Sequence, residues 1–140
     1  MGSRFFLDTN VLVYSLDRTA PKKGGVAEGL IEEALSDGNG IISFQVVQEC
    51  LYVMLRKFKN SIEGTDARSY LRRVLMPLCS VYPDHRLYAA ALDIASETGW
   101  SFYDSLIVGA ASAANCDRLL TEDLQDGRKI RGVTIQNPFK

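Results

Sequence analysis

The stretch Arg4-Phe5-Phe6-Leu7-Asp8-Thr9-Asn10-Val11-Leu12 passes from wholly apolar to acidic within one residue. A short apolar run bounded by polar residues predicts a buried strand over 5–7. Asp8 then falls where the strand ends, and Thr9 and Asn10 open a turn or helix. In an open parallel sheet the ligand crevice lies outside the carboxyl ends of the strands. A carboxylate at that point has two readings. It caps the following helix by accepting from free backbone N–H groups, or it serves a site at the sheet edge. The stretch by itself leaves both readings open.

The rest of the chain repeats the alternation. Residues 11–16 predict a short helix, 17–25 a loop rich in Gly, Lys and Pro, and 26–35 a helix with apolar residues at three- and four-residue steps. Ile41 and Ile42 predict a strand, and Ser43 caps a long helix running from Phe44 to about Lys59. A loop over 60–64 follows, then a helix capped by Thr65-Asp66 and ended by Pro77. A third strand is expected over 78–82 and a helix from Pro83 to about Thr98. Ser101-Phe102-Tyr103-Asp104 matches a capping box ahead of a small-residue helix ending near Ala114. Leu119-Leu120 and 132–135 complete the strands. Strands alternating with helices predict an α/β fold with a mainly parallel sheet of four to five strands covered on both faces. The 140 residues suit one domain, 1–140, with one core.

Right-handed crossovers bring the strand-to-helix loops to one edge. Asp8, Glu49 and Asp123 belong to that edge. Asp104 joins them only if its helix starts there, and Glu122 and Asp126 compete with Asp123 for the fourth place. Each acid has a bland alternative, as a cap or as a charge favoured near a helix start. Four carboxylates on one crevice repel unless a cation neutralises them. Oxygen donors without His or Cys favour Mg²⁺ or Mn²⁺, and such ions serve phosphoryl chemistry.

The totals narrow the classes. A formal net charge of −1 excludes a broadly basic nucleic-acid binder but leaves local basic patches such as Lys22-Lys23, Arg56-Lys57, Arg72-Arg73 and Arg128-Lys129. Cys50, Cys79 and Cys116 are odd in number and far apart, so free thiols in a reducing compartment are expected rather than a disulfide or zinc site. No window approaches the roughly 18 apolar residues of a membrane span. The single histidine, His85, and the lack of a serine elbow argue against a hydrolase triad.

Leu7-Asp8-Thr9-Asn10, Glu49 on the helix after Ser43, Tyr103-Asp104 at the start of a small-residue helix, and Leu120-Thr121-Glu122-Asp123 together resemble the PIN domain family, including the VapC-type ribonuclease toxins. The resemblance covers residues 4–139. It implies a three-layer α/β/α fold and a metal-dependent endoribonuclease. Asp8, Glu49, Asp104 and Asp123 would be both catalytic residues and ligands of Mg²⁺ or Mn²⁺, with Thr9, Asn10 and Thr121 supporting them. It further implies RNA as substrate, an antitoxin partner and a homodimer; a cytoplasmic location is expected from the free thiols. The alternatives are a non-catalytic PIN-like module that binds RNA or a partner, and a Mg²⁺-dependent phosphatase. The latter resembles D-x-D after the first strand, where this chain has Asp8-Thr9-Asn10.

Overall fold

The structure is a computed structural model and describes residues 3–57 and 66–140. Its centre is β1 (Phe5–Leu7), whose three side chains are wholly buried. Burying them contributes about 6 kcal/mol, enough to carry the following acid to the edge of the core. β1 lies between β2 (Gly40–Ser43) and β4 (Arg118–Leu120), parallel to both. β3 (Cys79–Val81) flanks β2, and β6 (Val133–Gln136) flanks β4, again in parallel. The two-residue β5 (Lys129–Ile130) pairs antiparallel with β6, giving the order β3-β2-β1-β4-β6-β5.

The helices are α1 (Thr9–Leu16), α2 (Pro21–Asp37), α3 (Phe44–Lys57), α4 (Ala67–Tyr70), α5 (Met76–Leu78), α6 (His85–Thr98) and α7 (Phe102–Ala113). α1 packs on α2 and α3, whereas α7 lies across β2, β4 and β6 and packs against α6. The expected three-layer α/β/α architecture with a mainly parallel sheet is therefore present. The expected continuation of α3 to about Lys59, the loop expected over 60–64 and Thr65 lie outside the described residues. Asp66 caps α4, its Oδ1 accepting from Ser69 N at 2.7 Å.

Three local expectations are corrected. The region 17–25 is not all loop, because α2 starts at Pro21. Proline suits a first helical position, where no N–H is needed. Gly24 has a tertiary role: a Cβ there would meet the Tyr14 carbonyl oxygen at 3.1 Å, so the glycine lets α2 approach α1. Second, Pro77 sits inside a helical stretch. A π-turn over Leu71–Leu75 precedes it, in which Met76 N–H reaches back to the Leu71 carbonyl. That wider turn accommodates a ring that would clash in a regular α-helix, and β3 is correspondingly shorter than the expected strand over 78–82. Third, the described residues form a six-stranded sheet, because Arg131 (φ 52°) and Gly132 (φ 81°) form a tight hairpin between β5 and β6. Two consecutive positive φ angles match the right-handed twist of paired strands.

Candidate carboxylate centre at the carboxyl edge of the sheet

Asp8 and Thr121 follow the adjacent parallel strands β1 and β4, so their side chains emerge side by side. The backbone pairing continues past the strands: Asp8 N–H bonds the Leu120 carbonyl, and Thr121 N–H bonds the Gln136 carbonyl, both at 3.1 Å. Asp8 is the N-cap of α1, its Oδ1 accepting from Thr9 N at 2.7 Å. Its Oδ2 accepts from Thr121 Oγ1 at 2.8 Å and from Asn10 Nδ2 at 3.5 Å. One oxygen thus caps the helix, and the other faces Thr121 and Asn10.

Asn10 ties this carboxylate to the loop after β4. Its Nδ2 donates to Asp123 Oδ2 and to Thr121 Oγ1, each at 3.1 Å. Thr121 Oγ1 also accepts from Asp123 N at 3.1 Å, which anchors the loop. On the other side, Thr9 Oγ1 donates to Glu49 Oε1 at 2.5 Å. Gln45, one helical turn before Glu49 on α3, donates from Nε2 to Glu49 Oε2 at 3.3 Å and to the Tyr103 carbonyl at 3.2 Å. That bond places the start of α7 at the acid edge, while Asp117 N–H beyond its far end bonds the Arg4 carbonyl at the opposite edge. Asp104 therefore starts its helix on the required side. Its own N–H is capped by Ser101 Oγ at 3.1 Å, and no hydrogen bond or ion pair holds its carboxylate among the described residues.

The two competitors for the fourth place have other partners. Glu122 accepts from the Tyr14 hydroxyl and pairs with Lys23 Nζ at 2.9 Å. Partial burial alone would raise its carboxyl, but these two bonds bring it below its ordinary value. Asp126 accepts from Asn137 N at 2.7 Å and faces Lys140 at 3.6 Å. Of the three carboxylates only that of Asp123 shares Asn10 with Asp8; Glu122 meets Asn10 through its backbone N–H, which donates to Asn10 Oδ1 at 3.4 Å. The Lys22-Lys23 cluster changes meaning as well, since Lys23 neutralises Glu122.

The electrostatics centre on Asp8, which is 8% exposed. Burial pushes its carboxyl up to about 7; the bonds from Thr121 and Thr9 oppose that, and the charges of Glu49 and Asp123 add to it. No Lys or Arg pairs with it among the described residues. No group of three or more His, Cys, Asp or Glu side chains among them is gathered tightly enough to hold a metal ion as they stand. Asp8, Glu49 and Asp123 thus share one electrostatic neighbourhood, linked by Thr9 and Asn10 rather than by direct contact.

Gln45 was not apparent from sequence. Its one signal is the four-residue spacing to Glu49, which puts both on the same helix face. Thr121 makes three side-chain hydrogen bonds in the centre and is wholly buried. Thr121→Val keeps the shape but removes the hydroxyl from three bonds. Urea denaturation at pH 7 should show a loss of about 1–3 kcal/mol; unchanged stability would mean the hydroxyl network contributes nothing.

A buried acid thus follows the first strand of the sheet, with further acids after β2 and β4. The PIN domain family model matches residues 5–129, and the chain belongs to that family. Among solved structures, FitAcB from Neisseria gonorrhoeae is similar at 19% identity and TM-score 0.66, covering 96% of this chain and 98% of that one. A toxin-antitoxin complex from Klebsiella pneumoniae is similar at 19% identity and TM-score 0.67, over 97% and 98% of the two chains. VapBC2 from Rickettsia felis, bound to a DNA fragment from their promoter, is similar at 18% identity and TM-score 0.63, over 95% and 97%. No curated protein matches the sequence.

Proposed function

We propose that the protein is a Mg²⁺- or Mn²⁺-dependent endoribonuclease that hydrolyses RNA phosphodiester bonds, and that it is the toxin of a toxin–antitoxin pair. The observation that carries this reading is Asp8, a buried carboxylate beside two further acids, with no cation paired to it among the described residues. The donor set around it is oxygen only, which fits a hard divalent ion. Asp8, Glu49, Asp104 and Asp123 would hold the ion. Bound there, it would supply a hydroxide nucleophile and stabilise charge developing on the phosphate. The chain's own contribution is positioning. Thr9 and Thr121 fix the two Asp8 oxygens, Asn10 sets the spacing to Asp123, and Gln45 orients Glu49.

Cleavage of labelled RNA with Mn²⁺, with and without a chelator, tests this directly. Asp123→Asn should reduce the rate at least about a hundredfold, whereas Glu122→Gln should stay near the parent, because Glu122 is committed to Lys23 and Tyr14. Equal rates for Asp123→Asn and the parent, or cleavage that survives the chelator, would end the proposal. p-Nitrophenyl phosphate serves as the phosphatase control and should not be turned over.

The hydrogen bonds already holding these carboxylates favour one second reading, a PIN-like module that binds RNA or a partner without cutting. It predicts no cleavage with any divalent ion and RNA binding unchanged by Asp8→Asn. An antitoxin partner is supported by the likeness to a structure named as a toxin-antitoxin complex. The resemblance to VapC-type toxins extends the proposal to a homodimer, and the free thiols of Cys50, Cys79 and Cys116 extend it to a reducing, cytoplasmic location. Co-purification with the product of the adjacent reading frame checks the partner.

A further inference from the structure

A groove of about 790 Å³ opens beside the carboxylate centre and shares Thr9 and Glu49 with it. Its other walls include Tyr52 and Val53 on α3, Gln48, and Tyr103 at the start of α7. Both tyrosines are largely in solvent, Tyr52 59% and Tyr103 65% exposed. Exposed rings held in fixed positions need explaining, and both are braced. Phe102 meets the Tyr103 ring edge-on, with centroids 5.5 Å apart and an interplanar angle of 71°. Phe102 in turn stacks on Tyr88 at 6.4 Å. The Arg56 guanidinium lies over the Tyr52 ring, 5.2 Å from its centroid, and bonds its hydroxyl.

We propose that this groove is a stacking subsite for an unpaired nucleobase of single-stranded RNA, held by Tyr52 and Tyr103 next to the reacting phosphate. The inference rests on the nuclease reading and names the form of substrate that the same centre takes. Three observations select this occupant. The groove is continuous with the acids, so a strand whose phosphate reaches Glu49 places a neighbouring base here. Its walls are rings and amides with one aliphatic side chain, Val53, whereas the apolar anchor of a peptide partner needs an aliphatic pocket. Arg56 at the Tyr52 wall supplies a cation for the next phosphate in an otherwise acidic neighbourhood. Base stacking on aromatic side chains tolerates any sequence and pairs with backbone cations in single-strand binders. Gln45 couples the two parts. It is 4% exposed, bonds both Glu49 and the Tyr103 carbonyl, and its own Oε1 has no partner among the described residues.

The test uses the full chain carrying Asp8→Asn, so that RNA stays intact, and a single-stranded RNA oligonucleotide containing 2-aminopurine. Stacking quenches that fluorophore. Tyr103→Ala and Tyr52→Ala should each weaken binding about tenfold and reduce the quenching. Tyr103→Phe and Tyr52→Phe should stay within about twofold, since the ring carries the contact. The same RNA as a duplex should show no tyrosine dependence. Light scattering should give one mass for all variants. Alanine variants that bind and quench like the parent would overturn the subsite, as would phenylalanine variants that fail like alanine. A change of mass in the alanine variants without a change in RNA binding would also overturn it, assigning the face to a protein partner or a second copy. Lack of cleavage by the parent, with quenching still dependent on the rings, would remove the nuclease reading and leave the subsite standing.

Discussion

Asp8→Asn should lower divalent-cation-dependent RNA cleavage at least about a hundredfold and at the same time make the metal-free protein more stable above neutral pH. The two effects have one cause. Burial, reinforced by the charges of Glu49 and Asp123, raises the Asp8 carboxyl from 3.8 to about 7. The folded protein therefore holds a proton that the unfolded chain has released between about pH 4 and pH 7. Stability then falls as pH rises through that window. It is fully present below the unfolded value and lost above the folded one. A rise of that size corresponds to at most about 4 kcal/mol, and the bonds from Thr9 and Thr121 already act against it. The amide introduced by Asp8→Asn carries no titrating proton, so the variant should lack this slope. It also keeps an oxygen to cap α1, because Asn caps as well as Asp.

Two measurements separate the roles. Urea denaturation from about pH 4 to pH 8 in chelator should show the falling slope in the parent and its loss in Asp8→Asn. Melting with Mn²⁺ at about pH 8 should raise the parent's midpoint and leave the variant unmoved, since an ion binding only the folded state stabilises it by mass action. A variant that keeps the slope would locate the titration elsewhere. One that folds normally and cuts RNA at the parent rate would reduce Asp8 to a helix cap.

The second large effect is structural. Gly40 opens β2 beside Phe5, and a Cβ there would lie 2.3 Å from the Ala34 Cβ and 2.7 Å from the Phe5 ring. Real side chains do not approach so closely. Phe5 is wholly buried, and Ala34 is fixed to the backbone of α2, so relief requires the helix to move off the sheet. Gly40→Ala should therefore cost about 3 kcal/mol, at the upper end of overpacking penalties, and lower the midpoint of melting by about 10 °C. Gly29 supplies the control. It lies in the same helix as Ala34, with nothing within 4 Å of an added Cβ, so Gly29→Ala should be neutral or stabilising by up to about 1 kcal/mol. Equal effects at the two positions would show that the approach of Gly40 to Ala34 and Phe5 costs nothing measurable.

Much of this molecule follows from short-range pattern. The break from Phe5-Phe6-Leu7 to Asp8 marks a buried strand and its end, because apolar burial and acid solvation cannot share one residue. The apolar spacing along 44–57 and 102–113 marks helices for the same kind of reason. Strands and helices in alternation then require a parallel sheet, and the crossover rule sends Asp8, Glu49 and Asp123 to one edge. Local pattern misjudged Pro21, Gly24, Gly25 and Pro77, residues whose usual role is to break structure. Their outcome depends on a neighbour in space. Gly24 is helical because α1 lies against it, and Pro77 is tolerated because the preceding turn widens.

Among Glu122, Asp123 and Asp126, the family resemblance favours Asp123, but charge and spacing alone do not, since the three share charge and lie within one short loop. Tertiary structure separates them through partners distant in sequence: Tyr14 and Lys23 take Glu122, Asn137 and Lys140 take Asp126, and Asn10 joins Asp123 to Asp8. Likewise, the placement of Asp104 depended on the direction of α7, which the Gln45–Tyr103 bond reveals. The elements were local because side-chain periodicity is local. The centre was decided only in three dimensions, because hydrogen-bond partners and burial are properties of what the folded chain brings alongside.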